Sequence, residues 1–401
     1  MRRGGSKVLG CAVAAALLAG ACSSSKSGST TTTTVKYDAS LGVESPAAAL
    51  RAELTDVLSG HVLLIGITAD AQLAGEPTGP ATAVLDQSSA ALAAVITRFY
   101  GPASGADVLA LWKRHTAALV DFASVAAPST DKATVDAAKA AITSISGELT
   151  TLLNTINVQL TPEVLTARLA TYTAGVEGAI TAQAKQDPGA ATKLKTAADA
   201  MTAMAIDMTA AIIKQKPKEV PGKLDAISAV LRTALAAKLS EHTYLAGIVT
   251  GTTLSGGDAT SATAALDANS QELSEAIGGV YGDDAGLQFL KLWRHHISLF
   301  EDFTKAAGLG DTSGQATARS ALDAYAGTFA SFLAGADPDL SKPEVTQNLR
   351  GHIDSLLAAI EAQAAKDPGQ VGKLRDAAMH MPGTALLLAT GIAHQFPTKF
   401  G

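Results

Sequence analysis

Cysteine is almost missing from this chain of 401 residues: there are two, Cys11 and Cys22, both close to the N-terminus. A disulfide framework is therefore excluded, and the folded part has to be held by its own core. Aromatic residues make up 4% and charged residues 17% of the chain, and there are 14 prolines. No long Val/Ile/Thr alternation bounded by hairpin turns occurs, which argues against a sheet. The formal net charge is −6, with Lys and Arg scattered along the chain, which argues against nucleic acid or an anionic lipid surface as a partner. Gly-x-Ser-x-Gly, a Walker loop and a Gly-x-Gly-x-x-Gly after a strand are all lacking. An enzyme is the less favoured outcome.

What the chain does have is alanine, leucine and helical periodicity, so the expected fold class is all-α. The N-terminus carries Arg2, Arg3 and Lys7 ahead of an apolar run from Val8 to Ala21. That is the layout of a signal segment, and it is too short to span a bilayer comfortably. The run closes in Leu18-Ala19-Gly20-Ala21-Cys22, which resembles a bacterial lipobox. The resemblance implies cleavage before Cys22 and lipid on that residue. An ordinary secretory cleavage after Ala19-Gly20-Ala21, leaving Cys22 free, is the alternative. Lipidation is favoured because Cys11 lies in the removed segment and leaves Cys22 nothing to pair with. Removal takes three cations and no acid, so the −6 becomes −9. Ser23 to Val35, with threonine at every position from Thr30 to Thr34, reads as a polar tether without enough apolar surface to fold.

The rest is a duplication. Leu111-Trp112-Lys113-Arg114-His115 returns 181 positions later as Leu292-Trp293-Arg294-His295-His296, and the two tryptophans are the only ones in the chain. Asp121 and Asp302 follow each Trp by nine residues. Thr161-Pro162-Glu163-Val164 matches Lys342-Pro343-Glu344-Val345, and Lys185-Gln186-Asp187-Pro188-Gly189 matches Ala365-Lys366-Asp367-Pro368-Gly369. The expected organisation is a signal peptide over 1–21, a tether over 22–40, and two tandem helical bundles of about six helices each over 41–217 and 218–401. Expected helices run near 46–73, 80–99, 104–126, 130–156, 162–186 and 189–215, then 222–251, 259–280, 284–307, 314–335, 343–366 and 369–395.

Candidate chemistry rests on histidine. His61 pairs with His242 and His115 with His296, while the second unit adds His295, His352 and His380 where the first has Arg114, Tyr172 and Ala200. His242, His296, His352 and His380 lie on four different helices of one bundle, the arrangement from which bundles build metal sites. Met201, Met204 and Met208 share a helix face, and Met379 and Met381 flank His380. His with thioethers suits copper, whereas His with Glu301, Asp302 or Asp354 suits iron or zinc. The competing reading makes the histidines hydrogen-bonded packing residues, the methionines core filler and the tryptophans interhelical wedges. Ala385-Leu386-Leu387-Leu388-Ala389 is apolar on nearly every face, which implies deep burial, an interface or a lined pocket for an apolar small ligand.

The closing run Gly391-Ile392-Ala393-His394-Gln395-Phe396-Pro397-Thr398-Lys399-Phe400 and the Leu-x-x-His helices resemble a group of uncharacterised, actinobacterial-type exported helical-repeat proteins ending in Gly-Ile-x-x-Gln-Phe-Pro-x-x-Phe. The resemblance implies an exported, lipid-anchored helical protein on the outer face of the cytoplasmic membrane, and it implies no activity. The group's fifth helix carries an acid a couple of turns after its His, where this chain is mostly apolar. The expected role is non-catalytic binding or structural work in the cell envelope. The alternatives are a copper or iron site in the second unit and a carrier of an apolar ligand.

Overall fold

The structure, a computed structural model, describes residues 42–400; the signal segment, Cys22 and the tether lie outside the described residues. The described residues are helical throughout and contain no strand. The first unit has α1 (Pro46–Leu73), α2 (Gly79–Asp121), a 3-10 turn (Phe122–Val125), α3 (Lys132–Ile156), α4 (Pro162–Ala184) and α5 (Ala190–Gln215). The second has α6 (Ile227–Leu254), α7 (Thr260–Tyr281), α8 (Asp283–Leu309), α9 (Thr312–Ala336), α10 (Lys342–Ala364), α11 (Gln370–Met379), α12 (Met381–Gln395) and the single turn α13 (Pro397–Phe400).

Local chemistry repeats with the sequence. Asp131 and Asp311 cap α3 and α9, accepting from the N–H groups of Thr134 and Gly314 at 3.0 and 2.9 Å. Thr161 and Ser341 do the same for α4 and α10, each with a proline in the first turn, as expected for helix starts. The second and third expected helices of the first unit are the two arms of α2, broken at Gly101 (φ 87°, ψ 167°) ahead of Pro102, as the matching Gly282 (φ 97°) separates α7 from α8. One boundary differs from the sequence reading. The sixth helix of the second unit is split at His380, because Pro382 has no N–H to give the carbonyl of Ala378. That carbonyl lies 3.4 Å from the Ser240 hydroxyl instead. The first unit has Thr202 there, and α5 runs unbroken.

α1 and α6 are the central helices, buried on nearly every face. α1 is long and apolar enough to cross a membrane, as is α5, but that apolar surface packs α1 against α2, α4, α5 and α6. Each central helix has a glycine that admits a leucine. A Cβ on Gly66 would lie 2.3 Å from Leu194, and one on Gly247 would lie 2.4 Å from Leu374. The carbonyls of the same two glycines accept from Gln183 and Gln363 at 3.1 and 2.8 Å.

The units share one continuous apolar core rather than standing as separate bundles. α1 lies on α6, with α5 against α7 on one side and α2 against α11 on the other. This is the reciprocal pattern of a two-fold dimer interface, realised inside one chain. Its two flanks differ. On the α5–α6–α7 side, Lys238 meets Asp199 at 2.6 Å and Glu272 at 2.8 Å, and Lys195 meets Glu272 at 2.9 Å and Asp199 at 3.0 Å. Asn269 donates to Glu241 at 2.7 Å within the same network. Burial works to pull Lys238 down, but the surrounding Glu241, Asp199 and Glu272 hold it well above its ordinary value. On the opposite flank half-buried Asp56 accepts from Ser240 at 2.5 Å.

Two stability predictions follow from the packing. Gly66→Ala and Gly247→Ala should each destabilise by about 1–3 kcal/mol in urea unfolding, the cost of forcing a methyl into a filled core. Exposed Gly147→Ala in α3, whose Cβ would meet nothing within 4 Å, should instead stabilise by about 0.5–1 kcal/mol; equal effects at all three sites would refute the packing. Lys238→Met should cost roughly 3–5 kcal/mol, because it leaves Lys195 as the one cation of the network against Glu241, Asp199 and Glu272. Loss of that penalty in the double variant with Glu241→Gln checks the pairing.

Candidate metal centre

Each unit places its histidines between the central helix and the helices that wrap it, and comparing the units shows what those rings require. A buried imidazole has two nitrogens, each needing a partner. In the first unit hydroxyls meet three of the four nitrogens, and His115 Nδ1 has no partner. His61 on α1 has Ser88 3.1 Å from Nδ1 and Thr116 2.9 Å from Nε2, and Trp112 Nε1 donates to its Nε2 at 3.2 Å. A proton on Nδ1 satisfies this set. His115 on α2 has Ser146 3.0 Å from Nε2, and because the Ser146 hydroxyl donates to the Ile142 carbonyl, His115 is the donor to Ser146. Tyr172 on α4 stacks on Trp112 with ring centroids 6.2 Å apart and planes 7° from parallel.

The second unit keeps the rings and loses the hydroxyls. At the positions of Ser88, Thr116, Ser146 and Tyr172 stand Asn269, Ile297, Ala326 and His352. Asn269 turns away to Glu241 and to the Lys238 carbonyl. His242 (α6), His296 (α8) and His352 (α10) are buried and face one another, with one ligand nitrogen from each within 4.8 Å of the others. His242 Nε2 and His296 Nε2 are 3.2 Å apart. Nδ1 of His242, Nδ1 of His296, both nitrogens of His352 and Trp293 Nε1 have no hydrogen-bond partner. Phe289, Trp293, Phe300 and Tyr325 enclose the rings.

Such a set fits a metal ion. Two nitrogens on one metal at about 2.0–2.1 Å sit roughly 3.3–3.6 Å apart, close to the observed separation. Burial pushes His242 down to about 3 and His352 down to about 4, and it lowers His296 well below its ordinary value. All three are thus neutral at pH 7, with lone pairs free of proton competition.

The structure brings together three of the four histidines the sequence singled out. His380 stands apart, half-buried at the α11–α12 junction, where Nε2 donates to the Asn348 carbonyl at 3.0 Å. The carboxylates do not join the cluster. Asp302 is exposed beside Lys305, and Asp354 is exposed in an ion pair with Arg319. Met201, Met204 and Met208 are core residues of the first unit. A cavity of 40 Å³ borders the cluster, lined by His352, Trp293, Met381, Asn348, Thr384 and otherwise mostly apolar side chains. It holds about one water, far below the roughly 300–1,000 Å³ of a small-molecule site, so this cavity is too small for an apolar ligand of that size. The run Ala385–Ala389 is less buried than its composition implied: Leu386, Leu387 and Leu388 are half-exposed. The orphaned nitrogens became visible only with the fold, although setting the units side by side could have exposed the missing hydroxyls. No protein-family model matches the chain, and no curated protein or solved structure matches it either.

The histidine pair of the first unit generates its own prediction. Burial pushes His61 down to about 3 and His115 to about 4, so below about pH 6.5 the unfolded chain takes up protons that the folded chain refuses. Stability is therefore complete above pH 6.5 and falls as pH drops toward 4, by roughly 2 kcal/mol per ring at pH 5. Asp56 and Glu241, pushed up by burial to about 6 and 7, act with the opposite sign in every variant and cancel in a comparison. In metal-free protein, His61→Gln with His115→Gln should flatten the stability-against-pH slope by up to two protons between pH 6.5 and 5. An unchanged slope would refute the buried neutral rings.

Proposed function

We propose that this protein binds one late transition-metal ion through His242, His296 and His352, in a non-catalytic role in the cell envelope. The observation that carries the reading is the convergence of three buried rings with four unpartnered nitrogens in the second unit, where the first unit has two rings that do not converge with a third and a single unpartnered nitrogen, His115 Nδ1. A buried polar nitrogen without a partner costs about 1–3 kcal/mol, and several at one point are explained by an ion that occupies them together. Three imidazoles without a carboxylate favour copper or zinc over iron, whose sites of this size combine two histidines with an acid. The signal-like N-terminus and the lipobox-like Leu18–Cys22 support export and a lipid anchor at Cys22, which would hold the site on the outer face of the cytoplasmic membrane.

Metal content after incubation with copper, zinc and iron and removal of free ions tests this. We expect about one copper or zinc ion per chain, with binding lost or weakened at least about 100-fold in His242→Ala and His352→Ala. In His115→Ala it should be unchanged. Binding should also raise unfolding stability by about 2.7 kcal/mol at a hundredfold excess over Kd. Wild-type protein that retains no metal, or that loses it equally with His115→Ala, would overturn the assignment.

A further inference from the structure

The buried cluster needs an entry route, and the second unit differs from the first along one line leading to it. Met379 is 54% exposed, an unusual position for a methionine; the first unit has Asp199 there, inside the ion network. The next residue is His380, where the first unit has Ala200. Its ring lies flat on α10 over Gly351, where a Cβ would come within 3.0 Å of Cε1; the first unit has Thr171 at that position. Since Nε2 donates to the Asn348 carbonyl, Nδ1 is left as the lone-pair nitrogen. Met381 follows, buried like its counterpart Met201, and here it lines the same cavity as His352. Asn348 and Thr384, hydrogen-bonded to each other at 2.7 Å, form the half-exposed side of that cavity. Pro382 breaks the helix at His380 and lets this run depart from a regular helical face.

Resting on the metal-site reading, we infer that the cargo is cuprous ion and that Met379, His380 and Met381 form its port, passing it from solvent to His352. Thioether sulfur is a soft donor that binds Cu(I) and holds Zn(II) or iron poorly. The charge agrees. No carboxylate joins the three buried rings among the described residues, so the ion enters an apolar site with its full charge. A monovalent ion bears a much smaller desolvation cost there than a divalent one. No bond is made or broken beyond ligand exchange, and the ion's oxidation state is unchanged throughout.

The test is stopped-flow transfer of Cu(I) from a bicinchoninate complex to the full chain, followed by the loss of the chelator's colour, with final stoichiometry measured separately. Met379→Leu with Met381→Leu, near-isosteric swaps that leave the fold intact, should slow loading by about tenfold or more while the final Cu(I) content stays at one per chain. Met204→Leu, a buried methionine of the first unit, should leave the rate unchanged and controls for general effects of the swap. Loading in the double variant at the wild-type rate would overturn the port while leaving the metal site standing. A wild-type chain that takes zinc but not Cu(I) would overturn the cuprous assignment alone. A chain that takes neither would overturn both this inference and the site on which it rests.

Discussion

Two helices buried on nearly every face, α1 and α6, impose the constraint on which the rest of the structure depends. Nearly everything they carry must be satisfied from inside, because little of either helix reaches water. Glycines at Gly66 and Gly247 are needed where leucines press in, and the same residues' carbonyls recruit Gln183 and Gln363. The histidines at the middle of these helices meet the harshest form of the constraint, since an imidazole brings two polar atoms into the core at once.

Duplication supplies an internal comparison. The units share caps, turns, glycine sockets and the Trp–His helix, so their scaffolds are equivalent and differences at the histidine site reflect what each site does. One unit surrounds His61 and His115 with Ser88, Thr116 and Ser146. The other removes every one of those hydroxyls, adds a third imidazole, and leaves four of the six ring nitrogens without partners. A packing role needs the first arrangement. The second is the local violation of polar satisfaction that marks functional sites in otherwise consistent proteins.

Much of this was legible in the sequence. The all-α class, the repeat, and most helix boundaries to within a few residues followed from turn residues and periodicity, and three of the four chosen histidines do converge. His380 was misplaced because helical spacing assigns a face and not a depth: Pro382, two residues on, breaks the helix and sets that ring on the surface of α10 over Gly351. Asp302 was misjudged because its retention in both units says nothing about burial, and it sits exposed beside Lys305. The ion network between the units was invisible, since Lys195, Lys238 and Glu272 look like ordinary surface charges until α5, α6 and α7 are packed together. The shared core was equally unreadable, because periodicity shows that a helix is apolar all round without showing which neighbour covers it.

The joining of the units explains how the second can carry an unsatisfied site and still fold. A cluster of orphaned nitrogens subtracts several kcal/mol from a domain whose net stability is only about 5–15 kcal/mol. A free-standing bundle would bear that deficit alone. Here α6 is held on its other side by α1, and the first unit, with one unpartnered histidine nitrogen against four, contributes to the same cooperative core. The asymmetry of the interface fits this division. The network around Lys238 draws its residues from α5 of the first unit and from α6 and α7 of the second, so it fastens the first unit to the very helix that carries His242. One unit supplies rigidity, and the other is left free to keep three neutral imidazoles aimed at a common point.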